Sequence, residues 1–301
     1  MSQPSWNPTT GIYSHVEMQD YLDLDALSSG ICHTLLSQSP AHARYRQLHP
    51  TASTPAMDLG TVAHQLLLEG NENRVVLVAA DDWRTKAARE GREAAYAAGR
   101  LPLLAKTMDE VRVMVDVANA FIETSEISGV FAHGDPEMTL VWDEGNVRCK
   151  ARPDWLSESR SVIVHFKTTG SSANPETFRD RLVEMGYDLA AAFYDRALRN
   201  VTGRDPSRIS SVFLIQETSA PYACSLMDLA PSLKEIAVVK VEHAIQAWTQ
   251  CVSTQHWPAY PTRTCYIEAR SWQITRAAED ALAWNDHEAY ERLIELGGGQ
   301  R

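Results

Sequence analysis

The sequence predicts an α/β protein: a central mixed β-sheet flanked by helices, with a helical cap at the N-terminal end. Three observations predict it. Helical periodicity dominates residues 1–125, short β-like runs begin near residue 137, and helical segments then interrupt the strands in the order β-β-β, α, β-β, α. The 301 residues are enough for a large core, and they read as one domain over 1–301. Residues 1–125 form its helical part, and 126–301 form the sheet core and the C-terminal helices.

Each element has a local reason. Ser28 to Leu36 reads as a short helix stopped near Pro40. Met57 to Glu69 is a second helix, with Gly70 suited to a C-terminal stop. Val75–Val78 is a short β-branched strand. Residues 83–99 are charged and alanine-rich, which predicts an exposed helix. Leu103 to Glu123 is amphipathic, with Met108, Val111, Val115 and Ile122 near helical spacing. Glu137 to Trp142, a turn at 143–146 and Val147 to Leu156 read as a β-hairpin. Ser161 to Thr168 is the next strand. A helix follows over 175–200, opened by Pro175 in a first-turn position. Strands at 209–216 and 222–229, a helix at 233–251 and a last helix near 275–296 complete the chain.

Composition bounds the function classes. The chain is 44% apolar and 22% charged, as soluble globular proteins are. No apolar run reaches the roughly 18 residues of a membrane span, and the first eight residues lack the pattern of a secretory signal. A cytoplasmic protein is expected. The net charge of −11 argues against a generally basic surface but leaves local basic patches open. The five cysteines (Cys32, Cys149, Cys224, Cys251, Cys265) are odd in number and have no C-x-x-C spacing. That predicts free thiols, with no disulfide framework, zinc site or iron–sulfur cluster.

The chemistry concentrates in Lys150-Ala-Arg-Pro-Asp154 and Val162-Ile-Val-His-Phe-Lys-Thr-Thr169. An acidic residue ends one strand, and the next carries an apolar run into Lys167. Residues two apart on a strand share a face, so His165 and Lys167 point together. Phosphodiester hydrolysis needs a cation-lowered water pKa and a positive group beside the developing charge. Asp154, residue 165, the Phe166 carbonyl and Lys167 would supply such a set.

With these residues the chain resembles the PD-(D/E)xK nuclease superfamily, in the phage-type branch that includes the nuclease domain of exodeoxyribonuclease VIII and, more distantly, lambda exonuclease. The resemblance runs through Ala26-Leu-Ser-Ser29, Ser39-Pro-Ala-His42, Met57 to His64, Arg84-Thr-Lys-Ala-Ala88, Cys149 to Asp154, Phe166-Lys-Thr-Thr169, Gly186 to Tyr194 and Trp257-Pro-Ala-Tyr260. It implies a restriction-endonuclease-like core. It implies that His64 approaches the metal, that Asp154 is a metal carboxylate and that Lys167 is the catalytic lysine. It also implies a divalent-metal-dependent exonuclease acting on double-stranded DNA ends, beside a single-strand annealing protein, in a phage or prophage context within a bacterial host. Ring-shaped homo-oligomers are a further implication.

Two positions depart from that pattern. The family carries an acid where this chain has His165, and a glutamine where this chain has Ala190; Tyr194 is retained. An imidazole suits Mn²⁺ better than Mg²⁺. Either the metal preference shifts, or another carboxylate supplies the missing oxygen: Glu137 first, Glu176 or Glu184 after it. The alternative is an inactive nuclease fold that binds DNA or regulates a host nuclease. Arg84, Lys86, Arg89, Arg92 and Arg152 are expected to contact the DNA backbone, with Arg44 and Arg46 as further candidates.

Overall fold

A computed structural model describes residues 6–49, 55–205 and 208–298. The chain divides into two compact units, 1–259 and 260–301, where the sequence reads as one domain.

In the first unit, β1 (Gly11–Tyr13) and α1 (Met18–Asp23) form an N-terminal arm. Next come α2 (Ser29–Ser37), α3 (Pro40–Leu48) and α4 (Pro55–Glu69). Pro40 does more than stop a helix: it opens α3 in the first position, behind Ser39, whose hydroxyl accepts the His42 N–H. Strand β2 (Val75–Val78), α5 (Lys86–Ala97), β3 (Leu101–Leu104) and α6 (Ala105–Thr124) follow. The segment 101–104 is thus a strand paired in parallel with β2, and not the opening of a longer helix.

After a single 3₁₀ turn come β4 (Gly134–Pro136), β5 (Thr139–Glu144), β6 (Val147–Ala151), β7 (Trp155–Ser157) and β8 (Val162–Thr169). The run 147–156 is therefore two strands. Pro153, which has no N–H to give a ladder, falls at the break. On one side, β6 joins the antiparallel sheet β1-β5-β6; on the other, β7 joins the central sheet β10-β9-β8-β7-β4.

The stretch 175–200 is likewise two helices, α7 (Pro175–Glu184) and α8 (Tyr187–Thr202). Gly186 separates them at φ +72, and a Cβ there would lie 2.5 Å from the His33 ring. Strands β9 (Ser210–Glu217) and β10 (Cys224–Met227) and helix α9 (Pro231–Thr254) complete the unit. The second unit holds α10 (Ser271–Ala283) and α11 (His287–Gly298), where the sequence reads as one helix.

The central sheet is mixed. Strands β8 and β9 run parallel, joined by the α7–α8 crossover, and the other pairs are antiparallel. Alternation along β8 sends Val164 and Phe166 to one face, where they pack with Val62, Ala63, Met108 and Val111 of α4 and α6. Burying a side chain such as Phe166 contributes about 1.5–3 kcal/mol. On the other face, Phe213 and Ile215 of β9 pack under Phe178, Leu182 and Ala191 of α7 and α8. Trp142 and Phe193 centre a separate core, where the hairpin β5–β6 meets α2, α8 and α9. No helix among the described residues is long and apolar enough to cross a membrane.

Candidate active site

Asp154 is the hub. It follows Pro153 at the switch between sheets, and its Oδ2 accepts two hydrogen bonds from β8: the Phe166 N–H at 2.9 Å and the Lys167 ammonium at 2.7 Å. Its backbone carbonyl accepts the Glu137 N–H at 3.2 Å. One residue thus fixes β8 and the turn before β5. Burial works against the Asp154 carboxylate. Lys167 and His64 outweigh it and hold its pKa well below the usual carboxylate range. Burial also opposes charge on Lys167, but Asp154 pushes its pKa above the ordinary lysine value. Both are charged at neutral pH.

His64 comes from α4, whose neighbouring Val62 and Ala63 anchor the helix on β8. Gly60, one turn earlier, permits the approach: a Cβ there would stand 2.8 Å from Thr168 Oγ1. His64 Nε2 lies 3.5 Å from Asp154 Oδ1 and 3.4 Å from Glu137 Oε1. Burial lowers its pKa, but the two carboxylates win and raise it above the ordinary histidine value.

Glu137 sits between β4 and β5, outside any strand, at φ +54. Few non-glycine residues adopt that conformation. Its Oε2 is 2.8 Å from Arg152 Nε. Burial first, and then Asp154 and Glu69, raise its pKa against the pull of His64 and Arg152.

The ligand atoms of His64, Glu137 and Asp154 lie within 4.8 Å of one another. Two donors at about 2.1 Å from one ion stand at most about 4.2 Å apart. A small inward movement would therefore close this imidazole–dicarboxylate set around one divalent cation, and its chemistry suits such an ion.

His165 does not join that set. The ring is 2% exposed and stacks on Phe213 at 4.6 Å, with Tyr194 at 5.3 Å. Burial, and secondarily Lys167, bring its pKa down to about 3 against the pull of Asp154, so the ring is neutral. Its Nε2 has no hydrogen-bond partner. Tyr187 and Tyr194, two turns apart on α8, flank the same side, and the Lys167 ammonium lies 6.0 Å from the Tyr187 ring. Ala190, in the expected glutamine position, is half-buried on α8, while Glu176 and Glu184 are exposed on α7.

The expected DNA contacts divide. Arg84, Lys86 and Arg89 are exposed at the start of α5; Arg92 lies over Trp83. They remain a basic face outside the cluster. Arg152 is different: its Nη2 donates to the Val16 carbonyl at 2.7 Å and its guanidinium lies over the Tyr21 ring. Its side chain is only 12% exposed, so it braces Glu137 and is not free for a phosphate. Arg44 packs over Trp257 and Arg46 donates to Thr34.

Two clefts meet at Thr61, His64 and Glu137. One, of about 280 Å³, lies between the arm at Ser14–Met18 and α4. The other, more open and of about 540 Å³, runs along Gly60, Lys167, Thr168 and Tyr187. The cluster is therefore reachable from both sides.

Fold and site together define a chain of the PD-(D/E)xK type. The protein belongs to the family described as a PDDEXK-like domain of unknown function (DUF3799), which it matches over residues 29–270. In solved structures it is similar to a chain from Eubacterium rectale described as a candidate exonuclease, at 11% identity and a TM-score of 0.58, over 87% of this chain and 99% of that one. That likeness is one of fold. A second solved chain, SSO0001, aligns over 74% of this chain and 93% of its own at 12% identity, with a TM-score of 0.28 that carries no weight. No curated protein sequence matches.

Proposed function

We propose that this protein is a divalent-metal-dependent nuclease that degrades double-stranded DNA from its ends. The observation that carries this reading is the Asp154–Lys167 pair at 2.7 Å, with His64 across from it at 3.5 Å, on a PDDEXK-like fold. The similarity to a candidate exonuclease supports the exonuclease form of the reading.

A bound cation would lower the pKa of a water and neutralise charge on the phosphate. Asp154 and His64 would hold it. The chain's own residues do the rest. Lys167, kept protonated by Asp154, presents its ammonium to the attacking water or to the phosphate oxygen that gains charge. Asp154 stays ionised because Lys167 and the Phe166 N–H share one oxygen, which leaves the other for the cation. Tyr187 walls the open cleft beside Lys167. Arg84, Lys86 and Arg89, all exposed, would contact the DNA backbone. Mn²⁺ is the favoured ion, a phage or prophage setting in a bacterial cytoplasm the favoured context, and a single-strand annealing protein and a ring of copies the favoured partners.

The buried His165 and the small Ala190 favour a second reading: a nuclease fold that binds DNA or a host nuclease without cutting. One experiment separates the two. Purified protein is incubated with linear double-stranded DNA and excess Mg²⁺ or Mn²⁺. We expect degradation that falls at least 100-fold in Lys167→Ala, with DNA binding retained. A folded protein that cuts with neither ion would overturn the nuclease reading and favour the binding module.

A further inference from the structure

We infer that Glu137 is the second carboxylate of the cation site, in place of residue 165, and that Arg152 is the positioning residue that aims it. This rests on the metal-dependent reading above, and it extends that reading to a donor set.

Each carboxylate has one oxygen held by a cationic side chain, Asp154 through hydrogen bonds and Glu137 through an ion pair. Asp154 gives its Oδ2 to Lys167 and the Phe166 N–H, at 2.7 and 2.9 Å. Glu137 Oε2 forms an ion pair with Arg152 Nε at 2.8 Å. Each therefore keeps one oxygen free of its clamp. Those oxygens, Oδ1 and Oε1, converge on the same atom, His64 Nε2, at 3.5 and 3.4 Å. A proton on Nε2 can serve one acceptor well, and both distances exceed the usual 2.7–3.2 Å. A cation between the three would satisfy all of them at once.

The backbone is arranged for this. Glu137 takes a left-handed conformation that few glutamates adopt, and its N–H is tied to the Asp154 carbonyl. Arg152 is fixed on its far side by the Val16 carbonyl and the Tyr21 ring, so its Nε cannot follow Glu137 outward. Position 165, by contrast, holds a buried neutral ring in an aromatic stack. One imidazole with two carboxylates is a set that binds Mn²⁺ more readily than Mg²⁺.

The test is Mn²⁺ binding to the full-length chain without DNA, followed by calorimetry and by the Mn²⁺ paramagnetic resonance signal. We expect Glu137→Gln to weaken binding at least tenfold and His165→Ala to change it less than threefold. Arg152→Lys keeps the charge but loses the second arm, and should weaken binding while broadening the bound-ion spectrum. Melting in chelator confirms folding; should Glu137→Gln not fold, Glu137→Asp, too short to reach, carries the same expectation. Unchanged affinity in the Glu137 variant, lost affinity in His165→Ala, or no binding by the parent chain would each overturn the inference. Mn²⁺ held through Glu137 in a chain that cuts no DNA would sustain it and reject the nuclease reading instead.

Discussion

At the scale of single residues, charge is decided by burial set against neighbouring charges, and one case reaches stability directly. Asp195 on α8 accepts the Ser211 hydroxyl at 2.9 Å, yet burial raises its pKa to about 6. An acid whose folded pKa exceeds its unfolded value keeps its proton in the fold when the unfolded chain has lost it. Stability therefore falls as pH rises from about 4 to about 6, and stays lower above that. Asp195→Asn should stabilise the protein by on the order of 2 kcal/mol at pH 7, an advantage that vanishes by pH 4; melting curves across that range check it. Similar reasoning explains which site residues were legible. Asp154 and Lys167 stand out because each ends or lies in a short local run of sequence, Lys150 to Asp154 and Val162 to Thr169. Glu137 could be named only as a candidate, because a left-handed turn leaves no mark in its side chain. Arg152 looked like a phosphate contact because nothing local reveals Val16 and Tyr21 closing over it.

At the scale of elements, strands and helices were legible wherever their period ran unbroken, and lost where one residue interrupted it. Strand β2 was found end to end. The breaks at Pro153, Gly186 and Asn285 were read through, although Pro and Gly are themselves breaking signals. Strands β1 and β4, three residues each, are too short to show a period. The α4–β8 contact carries a prediction of its own. Gly60 and Thr168 leave no room for a methyl group, so Gly60→Ala should push α4 away and move His64 from Asp154. Mn²⁺ affinity should drop severalfold in Gly60→Ala and recover in Gly60→Ala/Thr168→Ala, which reopens the space. Equal affinity in parent and single variant would show that Thr168 simply rotates aside.

At the scale of the whole molecule, the sequence reads as one domain, whereas residues 260–301 form a compact unit of their own. The boundary falls within Trp257-Pro-Ala-Tyr-Pro261, whose two prolines are the usual mark of a break between units, but the run is too short to be read as a linker. Residues 260–270 are exposed throughout and have no regular structure. Limited trypsin treatment should therefore cut first at Arg263 or Arg270, leaving a large fragment that retains the fold of the first unit; early cuts within α4 or β8 would contradict the two-unit description. The net charge of −11 acts at this scale too. Under the proposed function, DNA would have to find its attraction locally, with the exposed Arg84, Lys86 and Arg89 as the candidates, against a repelling background.

The tripeptide Arg152-Pro153-Asp154 joins two sheets, and each of its charged ends grips a different part of the site. Its tolerance to insertion and deletion follows from this. A substitution at Arg152 or Asp154 would remove the contacts of that one side chain. One extra residue between Ala151 and Trp155 would leave both sheets paired while shifting the chain by about 3.3 Å. Asp154 would then part from Lys167 and the Phe166 amide together. In this stretch the count of residues carries as much information as their identity.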